Sequence, residues 1–99
     1  MQDYLISPDA LDDLQGIWDF IALDSLEAAD RVIDELLENF QELANHPGIG
    51  HTRRDLTTRD VRFWPVHSYL VVYADHPLPL RIVAVLHGAQ DVPSVIERN

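Results

Sequence analysis

The spacing of apolar residues changes at His46-Pro47-Gly48, and this change most constrains the fold. Before it, apolar side chains recur every three or four residues, which predicts two helices with one apolar face each. After it, short runs rich in valine and aromatic residues predict strands. A short helix with one apolar face is stable only when that face is covered, so the strands must cover it.

Local signals predict where the helices begin and how they are joined. Ser7-Pro8-Asp9 places a capping serine before a proline suited to the first helical position. Asp24 precedes Glu27 by three residues, which predicts that Asp24 caps the second helix. The short link between the helices predicts an antiparallel hairpin. Gly16 lies within the first helix, where a glycine costs about 1 kcal/mol relative to alanine. We interpret this glycine as a sign that another backbone approaches the helix closely.

Four strands are predicted, one before the helices and three after them. They are expected at residues 4–6, 61–66, 69–73 and 80–87. Short turns between the last three predict an antiparallel meander, so the order of elements is β-α-α-β-β-β. We therefore predict an α+β fold in which an antiparallel helical hairpin packs on a small antiparallel sheet, within a single domain spanning residues 1–99.

Alternation along the last strand predicts which of its side chains meet the helices. One face is assigned to the helix-covered core and holds Leu80, Ile82, Ala84 and Leu86. The other face holds Arg81, Val83, Val85 and His87. No further element of the chain is predicted to cover this second face. Its valines are therefore interpreted as an uncovered apolar surface for a binding partner.

Charge is distributed unevenly between the two halves of the chain. Residues 1–50 carry twelve acids and one arginine, a formal charge of −11, whereas residues 51–99 carry six arginines and five acids. The net charge of −10 argues against general binding to nucleic acid. Four arginines follow the second helix closely: Arg53, Arg54, Arg59 and Arg62. They either pair with acids such as Asp55 and Asp60, or form a patch that binds a partner's carboxylates or phosphates.

Composition also limits the kind of site that the chain can build. There is no cysteine, so disulfides, thiolate metal sites and cysteine nucleophiles are excluded. His46 and His51 have no further ligands at metal-binding spacing, so we expect neither a metal nor another cofactor. Neither a membrane-spanning apolar run nor the basic start of a signal peptide is present. We therefore expect a cytoplasmic protein that does not bind membranes.

A series of short motifs extends over most of the chain. They are Ser7-Pro8-Asp9-Ala10, Ala28-Ala29, Leu43-Ala44-Asn45-His46-Pro47, Arg53-Arg54-Asp55-Leu56, Val61-Arg62, Tyr69 to Tyr73 and His87-Gly88-Ala89-Gln90-Asp91. In this order and spacing they resemble the ParE/RelE superfamily of bacterial toxins. The resemblance implies one of two activities. RelE-like members cut messenger RNA on the ribosome, and ParE-like members poison DNA gyrase.

The residues that the resemblance implies for RNA cleavage are largely missing. Such cleavage needs a base, an acid and positive charge for the phosphate. Arg53 and Arg54 stand where RelE-like members carry lysines, and a permanently protonated arginine is a poor base. Leu70 and Gln90 stand where arginines are expected, and the tail has no tyrosine. The ParE branch is therefore favoured, which implies a toxin that is not an enzyme and has no catalytic residue.

A ParE-like toxin is implied to block replication, to arrest growth and to serve in plasmid stabilisation. Its implied partners are DNA gyrase as target and a small ParD-like antitoxin encoded beside it, without direct contact to nucleic acid. The residues predicted to bind partners are Arg53, Arg54, Arg59, Arg62, Arg81, Val83, Val85, His87 and Gln90. Two alternatives stay open: a RelE-like ribosome-dependent mRNA endonuclease built on arginines, or an inactive relative that is the binding half of a regulatory complex.

Overall fold

The computed structural model describes residues 3–88, which form two helices and four strands. In chain order these are β1 (Tyr4–Ile6), α1 (Pro8–Ala22), α2 (Leu26–Asn45), β2 (Arg62–Val66), β3 (Tyr69–Ala74) and β4 (Leu80–His87). The predicted α+β class and the order β-α-α-β-β-β are confirmed. Each strand lies within one residue of its predicted bounds.

Serine residues cap both helices. Ser7 accepts a hydrogen bond through its hydroxyl from the backbone N–H three residues later, as predicted. The predicted Asp24 cap is wrong, because Ser25 is the N-cap of α2 and its hydroxyl accepts from the Ala28 N–H at 3.1 Å. Asp24 still belongs to the turn that ends α1, where its own N–H donates to a carbonyl of that helix. It therefore lies one residue too early to cap α2.

The four strands form one sheet in the order β1-β4-β3-β2. β2, β3 and β4 pair antiparallel, as predicted for a meander. β1 pairs parallel with β4, with Leu5 opposite Arg81, so the sheet is mixed rather than wholly antiparallel. Parallel pairing needs a long connection, and the chain between β1 and β4 contains both helices and the other two strands.

A bulge in β4 changes which of its side chains face the helices. Val72 of β3 pairs with Ala84, but the next residue, Tyr73, pairs with Ile82. Val83 is therefore an extra residue in β4, opposite no residue of its own. Because side chains alternate along a strand, one extra residue exchanges the two faces for every position that follows.

This exchange corrects the predicted faces of β4. Leu80 and Ile82 belong to the apolar cluster on the helix side, as predicted. Val85 also belongs to that cluster, although it was assigned to the opposite face. Ala84 and Leu86, which were assigned to the helix side, belong instead to the cluster on the other face.

Both faces of the sheet are covered by apolar side chains. The helix-side cluster includes Leu14, Leu36, Phe40, Leu43, Val71 and Tyr73. The opposite cluster includes Val61, Phe63, Val72, Val83 and Leu86, and Leu56 from the segment before β2 packs against it. Val83 and Val85 are only 4% and 2% exposed. The prediction that these two valines form an uncovered surface is therefore wrong.

Candidate partner-binding surface

The segment between α2 and β2 carries three of the arginines, and it is fastened to the edge of the sheet. His51 exchanges two backbone hydrogen bonds with Phe63 of β2, at 2.9 and 2.7 Å. These bonds add one residue pair to the outer edge of β2. The arginine loop, which we define as residues 52–60, therefore starts and ends next to the sheet.

Gly50 lies against the ring of Tyr73, where only glycine fits. The Tyr73 hydroxyl accepts from the Gly50 N–H at 2.9 Å and donates to the Pro47 carbonyl at 2.7 Å. A Cβ on Gly50 would lie 2.4 Å from the hydroxyl oxygen, closer than real Cβ contacts come. Burial raises the pKa of the Tyr73 phenol, although the Gly50 N–H and the charge of Arg62 act in the opposite direction. The hydroxyl therefore keeps the proton that it donates to Pro47.

Arg62 is occupied by contacts within the chain. Its guanidinium donates to the Asp75 carboxylate and to the Gly50 carbonyl, each at 3.0 Å. Burial opposes ionisation of Asp75, but hydrogen bonds from Arg62 and His76 and the charge of Arg62 hold its pKa below the usual value. His76 also contacts Asp60 of the arginine loop at 2.7 Å. Arg62 thus ties β2 to the turn after β3 and to the segment after α2.

Arg53 and Arg54 of the loop are more exposed than Arg62, whereas Arg59 is half-buried like Arg62. Arg53 makes a two-pronged contact with Asp55, at 3.0 and 2.8 Å, and this contact lowers the pKa of the exposed Asp55 carboxyl. Arg54 donates to the Thr58 carbonyl at 3.2 Å, and its side chain lies at the surface. Arg59 donates through its backbone N–H to a threonine hydroxyl. The predicted pairing with Asp55 is thus present for Arg53, while Arg54 presents its charge to solvent.

The remaining predicted residues lie at two ends of β4. Arg81 is exposed and pairs across the sheet with Ala74, at the end of the sheet that also holds Arg62. His87 lies six residues further, roughly 20 Å away, and its ring meets Tyr69 edge to face at 5.8 Å. Gln90 lies outside the described residues. The predicted set therefore does not form one continuous surface.

A groove at the His87 end of β4 was not predicted. It lies between α1 and the ends of β3 and β4, and has a volume of about 410 Å³. Its lining consists of Asp12, Asp13, Gly16, Ile17, Phe20, Tyr69, Val85 and His87. Two features of the sequence could have indicated this groove. Gly16 lies inside an amphipathic helix, and Phe20 is apolar but lies outside the apolar face of that helix. Phe20 is 75% exposed.

Gly16 opens this groove, and its predicted role is wrong. A Cβ on Gly16 would meet no atom of residues 3–88 within 4 Å, so no other backbone in this part of the chain approaches it closely. Asp13, one turn earlier on α1, accepts a hydrogen bond from the Val85 N–H at 3.0 Å. This bond fixes the separation between the helix and β4. The groove is thus a gap held open by a polar contact.

Two further findings concern cofactors and membranes. Among residues 3–88, no three histidine, aspartate or glutamate side chains come together in a way that suits a metal ion. Across the same residues, neither helix combines the length and the apolar character that crossing a membrane requires.

Comparison with known proteins relates this arrangement to one family. A solved structure described as a chromosomal ParDE toxin–antitoxin system from P. aeruginosa superposes with a TM-score of 0.73 at 18% identity, covering 88% of this chain and 96% of that one. No curated protein matched in a direct sequence comparison. The family model described as the ParE toxin of the type II toxin–antitoxin system parDE matches residues 4–92. Because that match spans most of the chain, the protein belongs to the ParE toxin family.

Proposed function

We propose that this protein is a toxin that binds DNA gyrase, blocks replication and is neutralised by a ParD-like antitoxin encoded beside it. The observation that carries the proposal is the family match over residues 4–92. The toxin would act in the cytoplasm, where its target works, and would serve plasmid stabilisation or a related chromosomal role by arresting growth. Action by binding requires a stable surface rather than a set of reacting groups.

Contacts around the arginine loop favour binding over chemistry. Arg62 is held by Asp75 and Gly50, so its charge is already satisfied within the fold. Leu70 stands where a RelE-like nuclease would carry an arginine, and it packs against the apolar cluster on the side of the sheet away from the helices. We assign the contact with gyrase to the end of the sheet that presents Arg81, together with Arg54 of the loop. Exposed guanidinium groups suit the carboxylates of a protein partner.

Growth arrest and its relief test the toxin–antitoxin proposal. Expression of the chain from an inducible promoter is expected to stop growth, and co-expression with the small reading frame beside its gene is expected to restore it. The two purified products should elute together in size exclusion at micromolar concentration. Gly48→Ala is a suitable control variant, because a Cβ at that position meets no atom of the described residues 3–88 within 4 Å, and it should behave as the wild type. Unimpaired growth, or separate elution of the two chains, would contradict the proposal.

A further inference from the structure

We propose that a pocket beside the turn between β3 and β4 binds a protruding apolar side chain of DNA gyrase, and that Arg81 pairs with a carboxylate next to that side chain. This inference rests on the proposed function, because it takes gyrase as the partner. It adds an apolar anchor site to the charged groups at this end of the sheet. Three observations support it: exposed apolar surface, a restricted turn and the charge that Arg81 presents.

The pocket lies between the end of α2, the start of β1 and the turn that joins β3 to β4. It has a volume of about 480 Å³. Its lining consists of Asp3, Ala44, Asn45, Pro47, Leu78 and Pro79. Leu78 is 70% exposed, and Leu5 of β1 is also exposed at this end of the sheet. Apolar surface that collects around a pocket is typical of a binding site on a small protein.

The backbone of the turn is restricted on both sides of Leu78. Pro77 and Pro79 fix their own φ angles, and a residue that precedes a proline, as Leu78 does, is restricted as well. His76, at the start of the turn, contacts Asp60 of the arginine loop at 2.7 Å. A side chain that is held in place before binding loses less conformational entropy when a partner covers it. Leu78 is therefore suited to anchor a contact.

Arg81 supplies positive charge next to the pocket. It lies two residues after Pro79, and its side chain is exposed. In the part of the chain that the structure describes, no hydrogen bond or ion pair engages its guanidinium, whereas Asp75 holds Arg62. Hydrogen bonds between a guanidinium and a carboxylate are among the stronger ones in proteins. A carboxylate of a partner can therefore pair with Arg81 without displacing a contact of the fold.

Charge also decides between gyrase and a second copy of this chain as the occupant. Two copies joined at this end by two-fold symmetry would bring the same surface together from both sides, so that Arg81 of each copy would approach its counterpart. Like charges in contact disfavour such an interface. A surface of gyrase that carries a carboxylate beside an apolar side chain would instead be attracted, and its apolar side chain would enter the pocket.

Two substitutions at exposed positions test this inference. Leu78→Ser should raise the concentration of the protein that half-inhibits supercoiling by purified gyrase at least about tenfold, since an anchor residue carries much of the binding free energy. Because Leu78 is exposed in the free protein, circular dichroism should show the wild-type melting temperature. Arg81→Glu should weaken inhibition as well, and more strongly at low salt than at high salt.

Leu23→Ser is the matched control, because Leu23 is 82% exposed and lies at the other end of the sheet. It follows α1, which starts beside Ile82 and reaches the His87 end of β4 at Phe20. This variant should inhibit gyrase as the wild type does.

Three outcomes would overturn the inference. Wild-type potency of Leu78→Ser, or an equal loss in Leu23→Ser, would overturn the pocket assignment while leaving the proposed function intact. Failure of the wild type to inhibit gyrase would overturn both. Self-association of the wild type at micromolar concentration that Leu78→Ser abolishes would put a second copy in the place of gyrase, and so would also contradict the assignment.

Discussion

Replacing Val83 by aspartate is expected to destabilise the fold by more than about 4 kcal/mol, a large part of the stability of a small domain. Val83 is the extra residue of the β4 bulge and lies among Phe63, Val72 and Leu86. A carboxylate placed there would lose its hydration without gaining a partner in this apolar cluster. Thermal unfolding followed by circular dichroism should show a variant with no cooperative transition, or one that melts far below the wild type.

Leu5→Asp is the control for this substitution, because Leu5 is also a strand residue but is 55% exposed. It lies opposite Arg81 across the β1–β4 pair, so an aspartate there would gain an oppositely charged neighbour. Its effect should stay below about 1 kcal/mol, the range of strand propensities. A Val83→Asp variant that melts like the wild type would show that the second face of the sheet is open after all.

Replacing Gly50 by alanine is expected to lower stability by about 2–4 kcal/mol. The added Cβ would lie 2.4 Å from the Tyr73 hydroxyl and 2.7 Å from its ring, and Tyr73 is fully buried and cannot move freely. Displacement of the ring would also break the hydrogen bonds that the hydroxyl makes to Gly50 and Pro47. For a domain of this size the melting temperature should fall by roughly 10–25 °C.

Gly48→Ala provides the comparison for Gly50→Ala, two residues away in the same segment. A Cβ on Gly48 meets no atom of residues 3–88 within 4 Å, whereas a Cβ on Gly50 meets Tyr73, and neither glycine has a positive φ. The Gly48 variant should stay within about 0.5 kcal/mol of the wild type. Equal melting temperatures for the two variants would mean that Tyr73 does not hold the segment in this way.

The helices and strands were predictable because apolar spacing reports directly on local structure. Ser7 and Pro8 mark the start of α1, and the strands are short runs of valine and aromatic residues between turns. The N-cap of α2 was harder to predict. Asp24 and Ser25 are both good capping residues, and only the backbone path out of α1 decides between them.

The faces of β4 were not predictable beyond the bulge. From Ile82 to Leu86 every residue is apolar, so no polar side chain marks which face is exposed. Strict alternation along the strand predicts one set of faces. The extra residue at Val83 exchanges these faces for the residues that follow it. The parallel pairing of β1 was missed for a related reason, because three residues say little about which strand lies beside them.

The candidate surface was predictable only where a contact is local. The pairing of Arg53 with Asp55 follows from their closeness in sequence. The partner of Arg62 is Asp75, thirteen residues away, and that contact depends on the register of β2 and β3. The groove depends on the distance between α1 and β4, which no local pattern in the sequence indicates.

The expectation that the chain is not an enzyme, drawn from its resemblance to the ParE branch, is confirmed by the family match.

A gyrase assay tests the claim that this protein acts by binding DNA gyrase. Purified protein is mixed with gyrase, ATP and relaxed plasmid, and both supercoiled and cleaved DNA are measured. We expect loss of supercoiling and accumulation of cleaved DNA, both reversed when the antitoxin is added. The claim would be contradicted if gyrase stayed fully active at a large molar excess of the protein while translated messages were cut on the ribosome.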